Sequence, residues 1–150
     1  MVKEPIKFIT KVTLVHVVTY VLCGILFMLL FNYQSTLAQA GMRDTNSLIV
    51  GLAPVFQIFR GILFGIVLWL YRDSFVDKKH GWLILWAMIA VIGIINTPAT
   101  SPGSIEYFIY YDLSGIQWNL EIGGTLEILT QTLLFSVCVW QITKKKPQNQ

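Results

Sequence analysis

Four long apolar stretches dominate this sequence and decide what it can fold into. They cover residues 12–31, 48–71, 82–96 and 122–142. A helix rises about 1.5 Å per residue, so about 20 apolar residues are needed to cross a bilayer. Only 13% of the residues are charged, whereas a soluble domain carries roughly a quarter. We therefore predict an all-α integral membrane protein that forms a four-helix bundle.

The 150 residues leave no room for a second domain. The longest segment between apolar stretches, 97–121, is shorter than the roughly 50 residues that an independent domain requires. We predict a single transmembrane domain over residues 1–150, with spans at about 12–31, 48–71, 81–97 and 122–142 and an outer loop at 98–121.

The spans differ in character. Residues 12–31 carry no charge, whereas Pro54 in the second stretch predicts a helix that is bent or begins near the proline. The third stretch, 82–96, has only 15 residues and needs a locally thin bilayer to cross. A re-entrant segment is the alternative at this position.

The basic residues predict the orientation. Positively charged loops favour the cytoplasmic side of a membrane. The loop at 32–47 contains one basic residue, Arg43, whose charge is offset by that of Asp44. Residues 97–121 contain no Lys or Arg. We therefore predict a multi-pass protein of the cell membrane with both termini in the cytoplasm. Nine of the 11 basic residues lie on that side: Lys3, Lys7, Lys11, Arg72, Lys78, Lys79, Lys144, Lys145 and Lys146.

A cleaved signal peptide is a competing interpretation of the N-terminal segment. Its lysines, its apolar run and Ala38-Gln39-Ala40 imitate the three parts of such a peptide. However, the apolar run at 12–31 exceeds the roughly 7 to 15 residues of a signal core. We therefore expect this segment to be a span.

Ionisable and amide side chains within the spans indicate a site. Each charge at the bilayer centre costs roughly 2.5 to 3.5 kcal/mol unless it finds a partner. We therefore predict an ion pair between Arg60 and Glu127. Gln57 lies three residues before Arg60, and Gln131 lies four after Glu127, so each pair shares a helix face. These faces should meet in the bundle interior, together with Asn96.

The outer loop offers one more candidate, Glu106. Proline should stop the third helix, Pro102-Gly103 should form a turn, and Ser104 should cap a short helix. That helix would lie in the interface as a connector, or fold inward as a lid that brings Glu106 to Arg60.

Signatures of catalysis are scarce. The sequence has no HExxH, CxxC or glycine-rich phosphate loop, and we predict no catalytic residue, metal or cofactor. We expect His16 to be satisfied by a neighbouring helix or to reach the interface, and Cys23 and Cys138 to remain unpaired. The net charge of +3 suits contacts with anionic membrane lipids rather than with nucleic acid.

Several short segments carry a resemblance: Arg60-Gly61, Gly81-Trp82, the segment from Pro102 to Glu106, and Glu127 with Gln131. Together they resemble a group of small four-span bacterial membrane proteins without an assigned activity. The resemblance implies the four-helix architecture and no activity. We expect residence in a bacterial inner membrane.

Three functions stay open. In the first, Arg60, Glu127, Gln57, Gln131, Asn96 and Glu106 bind or pass a small polar, anionic or lipid-like ligand, with transport requiring a homo-oligomer. In the second, the chain is a structural or regulatory subunit of a larger membrane complex, in which the polar residues and Gly61 with Gly65 face partner helices. In the third, it is a membrane enzyme that acts on a lipid. The pattern of Gly61 and Gly65 predicts close helix packing.

Overall fold

The computed structural model describes residues 4–32, 43, 46–99, 101–110 and 118–144, and this part of the chain is helical with no strand. A 3₁₀ turn, Arg72–Ser74, follows the third helix, and a π-helical turn, Val91–Ile95, extends the fourth. The helices are α1 (Pro5–Phe31), α2 (Leu48–Gly51), α3 (Ala53–Leu70), α4 (Gly81–Ala90), α5 (Ile105–Tyr110) and α6 (Trp118–Thr143).

Three of these helices, α1, α3 and α6, are long and apolar enough to cross a membrane by length and composition. The apolar segment Gly81–Ile95, formed by α4 and its π turn, is shorter. Many large apolar side chains point outward, such as Leu29 at 76% and Leu70 at 69% exposure. A soluble monomer rarely exposes extended apolar faces, so these helices suit insertion into lipid. The prediction of a helical membrane protein is confirmed at this level.

The second apolar stretch is interrupted where its proline predicts. Ser47 begins α2, and its hydroxyl oxygen accepts a hydrogen bond from the Val50 N–H at 3.4 Å. The chain then starts α3 at Ala53, with Pro54 in the first turn. Proline is tolerated there because the first N–H groups of a helix have no partner within it. The predicted start of a helix near Pro54 is confirmed.

Helix α1 packs against both α3 and α6. At the α1–α3 contact, a Cβ added to Gly61 would lie 2.9 Å from the Cα of Thr13. A Cβ added to Gly65 would lie 2.9 Å from the Cα of Ile9. Only glycine lets the two backbones approach this closely, as in other small-residue helix contacts. The packing role predicted for the two glycines is confirmed.

Helix α4 packs mainly against α6. The Trp86 indole N–H donates to the Leu129 carbonyl of α6 at 3.4 Å. The four longest helices therefore lie in the spatial order α3, α1, α6, α4. The apolar core lies near one end of them. Its members are Phe8, Val12, Leu68, Phe75, Leu85, Phe135 and Val139.

That end of the molecule also carries most of the described basic residues, and we call it the basic end. Lys11 donates to the Ile142 carbonyl at 3.3 Å, which places the start of α1 beside the end of α6. The Trp140 indole N–H donates to the Lys78 carbonyl at 3.0 Å, which brings in the loop before α4. The cytoplasmic orientation of this end stays a prediction, and Lys3, Lys145 and Lys146 lie outside the described residues. The basic end is defined by Lys7, Lys11, Arg72, Lys78, Lys79 and Lys144.

Candidate functional site

A cavity of about 790 Å³ lies between the helices. Its wall is formed by α1, α3, α4 with its π turn, α6 and the loop that precedes α5. This volume falls within the roughly 300 to 1,000 Å³ range of small-molecule sites. The packing order explains the space, because α4 is held by α6 and leaves a gap beside α3.

The gap between α3 and α4 opens the cavity sideways. Val67 of α3 and Ile92 of the π turn both line the cavity, yet they are 51% and 66% exposed. Tyr71, at the end of α3, is also an exposed lining residue. If the helices stand in a bilayer, this opening faces the hydrocarbon region rather than water.

The cavity wall is polar on one part and apolar on another. Phe64, Val67 and Leu68 of α3 face Leu85 and Met88 of α4 toward the basic end. The polar part lies nearer the opposite end, where the loop before α5 closes the wall. It contains Arg60, Glu127, Gln131, Thr132 and Ser101.

His16 lies at the boundary between the two parts and is buried. Its Nε2 is 2.9 Å from the Gln57 side-chain oxygen, so the Nε2–H tautomer donates a hydrogen bond to that amide. The imidazole centroid is 5.1 Å from that of Phe64 and 5.8 Å from that of Phe135. A neighbouring helix therefore satisfies His16, which confirms one of the two outcomes expected for it.

Arg60 is an exposed residue of α3 that also lines the cavity. Its guanidinium carbon is 5.8 Å from the ring centroid of Phe64, one helical turn further along α3. This distance is near the outer limit of a cation–π contact. The five N–H donors of the guanidinium can bind a carboxylate or phosphate in a fork-like geometry.

Glu127 lies deeper toward the opposite end than Arg60 does. A Cβ added to Gly24 of α1 would be 3.6 Å from a carboxylate oxygen of Glu127. Gly61, the residue after Arg60, instead faces Thr13, which is eleven residues earlier on α1, or about 16 Å along its axis. The backbone next to Arg60 and the Glu127 carboxylate thus lie at different depths, and both residues line one cavity.

This offset bears on the predicted ion pair. Among the described residues, the recorded ion pairs join Lys7 to Glu4 at 2.8 Å and Arg72 to Asp73 at 3.7 Å. A direct Arg60–Glu127 bond is not among them. The two side chains face a shared space that could accommodate a polar group.

The six residues predicted for the site are divided by the structure. Arg60, Glu127 and Gln131 line the cavity. Gln57 is not a lining residue, and its side chain is hydrogen-bonded to His16, which lines the cavity. Asn96 is exposed after the π turn, and Glu106 is half-buried on α5; neither is a lining residue.

The loop before α5 has the turn and cap that the sequence predicts. Gly103 has φ +87°, which glycine adopts without strain. Ser104 is buried, and its hydroxyl oxygen accepts the Tyr107 N–H at 3.1 Å. Ser101 and Pro102 thereby form part of the cavity wall. Within the predicted outer loop at 98–121, residues 100 and 111–117 lie outside the described residues, and 118–121 belong to the start of α6.

Sequence reasoning missed the aromatic and glycine residues of the wall. Tyr20 lies one turn after His16 on α1, and this i, i+4 spacing could have indicated a shared face. Gly93 lines the cavity, and a Cβ added there would meet nothing within 4 Å. In sequence, Gly93 is only one small residue in an apolar run, so no pattern indicated its position.

The described residues offer no obvious metal chemistry. They contain no cluster of three His, Cys, Asp or Glu side chains that could hold a metal ion. Cys23 and Cys138 are free thiols. The cavity offers hydrogen-bonding and charged groups on one part and apolar side chains on the other.

Comparisons with protein-family models, with curated proteins and with solved structures find no match to this chain. The resemblance to small four-span bacterial membrane proteins stays an expectation, and function must be argued from the cavity.

Proposed function

We propose that the protein binds an amphipathic, lipid-like ligand in the cavity between α3, α4 and α6. The observation that carries this proposal is the division of the cavity of about 790 Å³ into a polar part and an apolar part. Apolar walls with a few placed polar groups are typical of small-molecule sites. A ligand with one polar end and one hydrocarbon end matches both parts.

The polar end would lie between Arg60 and Glu127. Arg60 binds an anionic group, and Glu127 with Gln131 accepts hydrogen bonds from hydroxyl or amine groups of the same ligand. The backbones that carry Arg60 and Glu127 lie at different depths along α1, and both side chains line the same cavity, which can hold such a group. In this arrangement the ligand, rather than a direct ion pair, links Arg60 with Glu127.

The apolar end would pack against Phe64, Val67 and Leu85. Burial of hydrocarbon contributes roughly 25 cal/mol per Å² of apolar surface. The ligand reaches this wall through the opening between α3 and α4, which connects the cavity to the bilayer. A water-soluble anion would gain nothing from this part of the wall.

One argument for a role as a subunit of a larger complex is weakened by the helix contacts within this chain. That hypothesis places the small-residue face of α3 against a partner helix. Gly61 and Gly65 instead contact Thr13 and Ile9 of the same chain. The cavity therefore favours a binding function over a purely scaffolding one.

Native mass spectrometry of the protein released from mild detergent tests the proposal. We expect a species heavier than the 17.1 kDa chain, from which a lipid-like molecule is released on fragmentation. Gly93→Leu should abolish it, because Gly93 lines the cavity and a larger side chain is accommodated there without a clash. Arg60→Gln should reduce its occupancy at least about tenfold, because a charged hydrogen bond contributes roughly 1.5 to 3 kcal/mol.

Gly124→Leu is the matched control. Gly124 lies on α6, is not a lining residue, and also has nothing within 4 Å of an added Cβ. This variant adds the same apolar side chain and should retain the ligand. An unliganded wild-type protein, or full occupancy in Gly93→Leu, would overturn the proposal. Retention of a water-soluble anion alone would overturn the lipid-like assignment.

A further inference from the structure

The basic end holds a second, smaller cavity of about 240 Å³. Its wall comes from two segments that are distant in sequence, the loop before α4 and the end of α6. It lies beyond the apolar core and shares no lining residue with the larger cavity. The lining residues are Asp77, Lys78, Lys79, Trp140 and Lys144.

Specific contacts hold the two segments together. The Trp140 indole N–H donates to the Lys78 carbonyl at 3.0 Å. Gly81 lies against the same ring, since a Cβ added there would be 2.6 Å from Trp140 Cδ1 and would also collide with the Phe75 carbonyl oxygen. Tertiary packing therefore brings the two segments together, and it places the exposed side chains of Lys78, Lys79 and Lys144 around one open depression.

The charges in this cavity are mostly positive. Three ammonium groups face one carboxylate, that of Asp77. The Lys144 Nζ is 4.4 Å from the ring centroid of Trp140, which holds this ammonium over the aromatic face. The ion pairs recorded in the described part of the chain, Lys7–Glu4 and Arg72–Asp73, use none of the three cavity lysines.

We propose that this cavity binds the phosphate group of an anionic membrane lipid. Lysine ammonium groups bind phosphate as point charges, and basic pockets at the ends of membrane helices bind lipid headgroups. The volume is below the range of roughly 300 to 1,000 Å³ for drug-sized ligands, so it suits a headgroup rather than an acyl chain.

Two further residues specify the lipid. Trp140 lies at the end of α6, and tryptophan side chains concentrate at the level of the lipid headgroups. The Asp77 carboxylate repels a second anionic group but accepts hydrogen bonds from hydroxyls. The site therefore suits a phosphodiester whose headgroup carries hydroxyl groups, such as phosphatidylglycerol. This inference is independent of the ligand proposed for the larger cavity.

Lipid titration of the full chain in detergent, followed by native mass spectrometry, tests the site. Phosphatidylglycerol and phosphatidylcholine with identical acyl chains are the probes. We expect one phosphatidylglycerol to bind at least about tenfold more tightly than phosphatidylcholine. Lys79→Gln with Lys144→Gln should remove this preference, whereas Lys79→Arg with Lys144→Arg should retain it because the charges remain.

Lys7→Gln with Lys11→Gln is the matched control, since it removes two charges from the same end outside the cavity. Its preference should stay within about twofold of the wild-type value. Equal loss in this control, or no preference in the wild type, would overturn the proposal. Competition by free glycerol 3-phosphate at the concentration of the lipid would overturn the membrane lipid as the source of the phosphate.

Discussion

The two sides of helix α3 are built in opposite ways. On one side, Gly61 and Gly65 bring α3 against the α1 backbone with no space for even one more carbon atom. On the other side, Arg60, Phe64 and Val67 line an open cavity. Across that cavity, Gly93 has nothing within 4 Å of an added Cβ.

The difference shows that a glycine in a membrane helix has two distinct uses. At positions 61 and 65 it permits close contact between backbones, whereas at position 93 it leaves space. Arg60 and Gly61 are adjacent in sequence, yet one faces the cavity and the other the tight contact. The same helix therefore fixes the fold with one face and presents the site with another.

The largest expected effect comes from breaking the tight side. Gly61→Val places a Cβ against the Thr13 backbone, which cannot move aside as a flexible side chain would. We expect the free energy of unfolding to fall by about 3 kcal/mol, as in severe overpacking. Titration with a denaturing detergent in mixed micelles measures the change, and Gly65→Val should behave alike.

Gly124→Val provides the reference for that measurement. The same substitution at an open position should shift the free energy of unfolding by no more than about 0.5 kcal/mol. Equal destabilisation at positions 61 and 124 would mean that the valine side chain itself, rather than the α1–α3 contact, is responsible.

An intermediate effect is expected at the hydrogen bond between His16 and Gln57. His16→Leu leaves the Gln57 amide without its 2.9 Å partner and should lower the free energy of unfolding by about 1 to 3 kcal/mol. The double variant with Gln57→Leu should lose less than the sum of the single variants. Detergent titrations of all four proteins give the coupling, and strict additivity would contradict it.

The smallest effect on stability is expected at Arg60. Because it is exposed and absent from the recorded ion pairs, Arg60→Gln should change the free energy of unfolding by no more than about 0.5 kcal/mol. A buried ion pair that held two helices together would instead cost roughly 3 to 5 kcal/mol when broken. The detergent titration thus shows whether Arg60 belongs to a ligand site or to an ion pair that stabilises the fold.

Local features of the fold follow directly from the sequence. The apolar stretches predict α1, α3 and α6, Pro54 marks the start of α3, and Ser104 caps α5. Each of these depends on residues within one or two turns of each other. Hydropathy, proline geometry and side-chain capping act over that range, so they can be recognised without tertiary information.

The depth of a charged residue depends on tertiary packing instead. Counting from helix ends places Arg60 and Glu127 near each other, but the contacts of Gly61 with Thr13 and of Glu127 with Gly24 decide the depth at which each backbone lies. The ion pair between them stays a prediction. The contacts of Gly61 with Thr13 and of Gly65 with Ile9 fix the register between α3 and α1. Likewise, Gln57 faces His16 because α1 separates α3 from α6, an order that the sequence does not state.

The spatial order α3, α1, α6, α4 has a consequence for biogenesis. The α1–α3 contact can form once Leu70 has left the ribosome, so these two helices can associate early. The short apolar segment Gly81–Ile95 emerges next, before α6, its main packing partner, has left the ribosome. We expect this segment to reach its final position only after α6 has inserted and packed against it. The last helix would then complete the wall of the cavity.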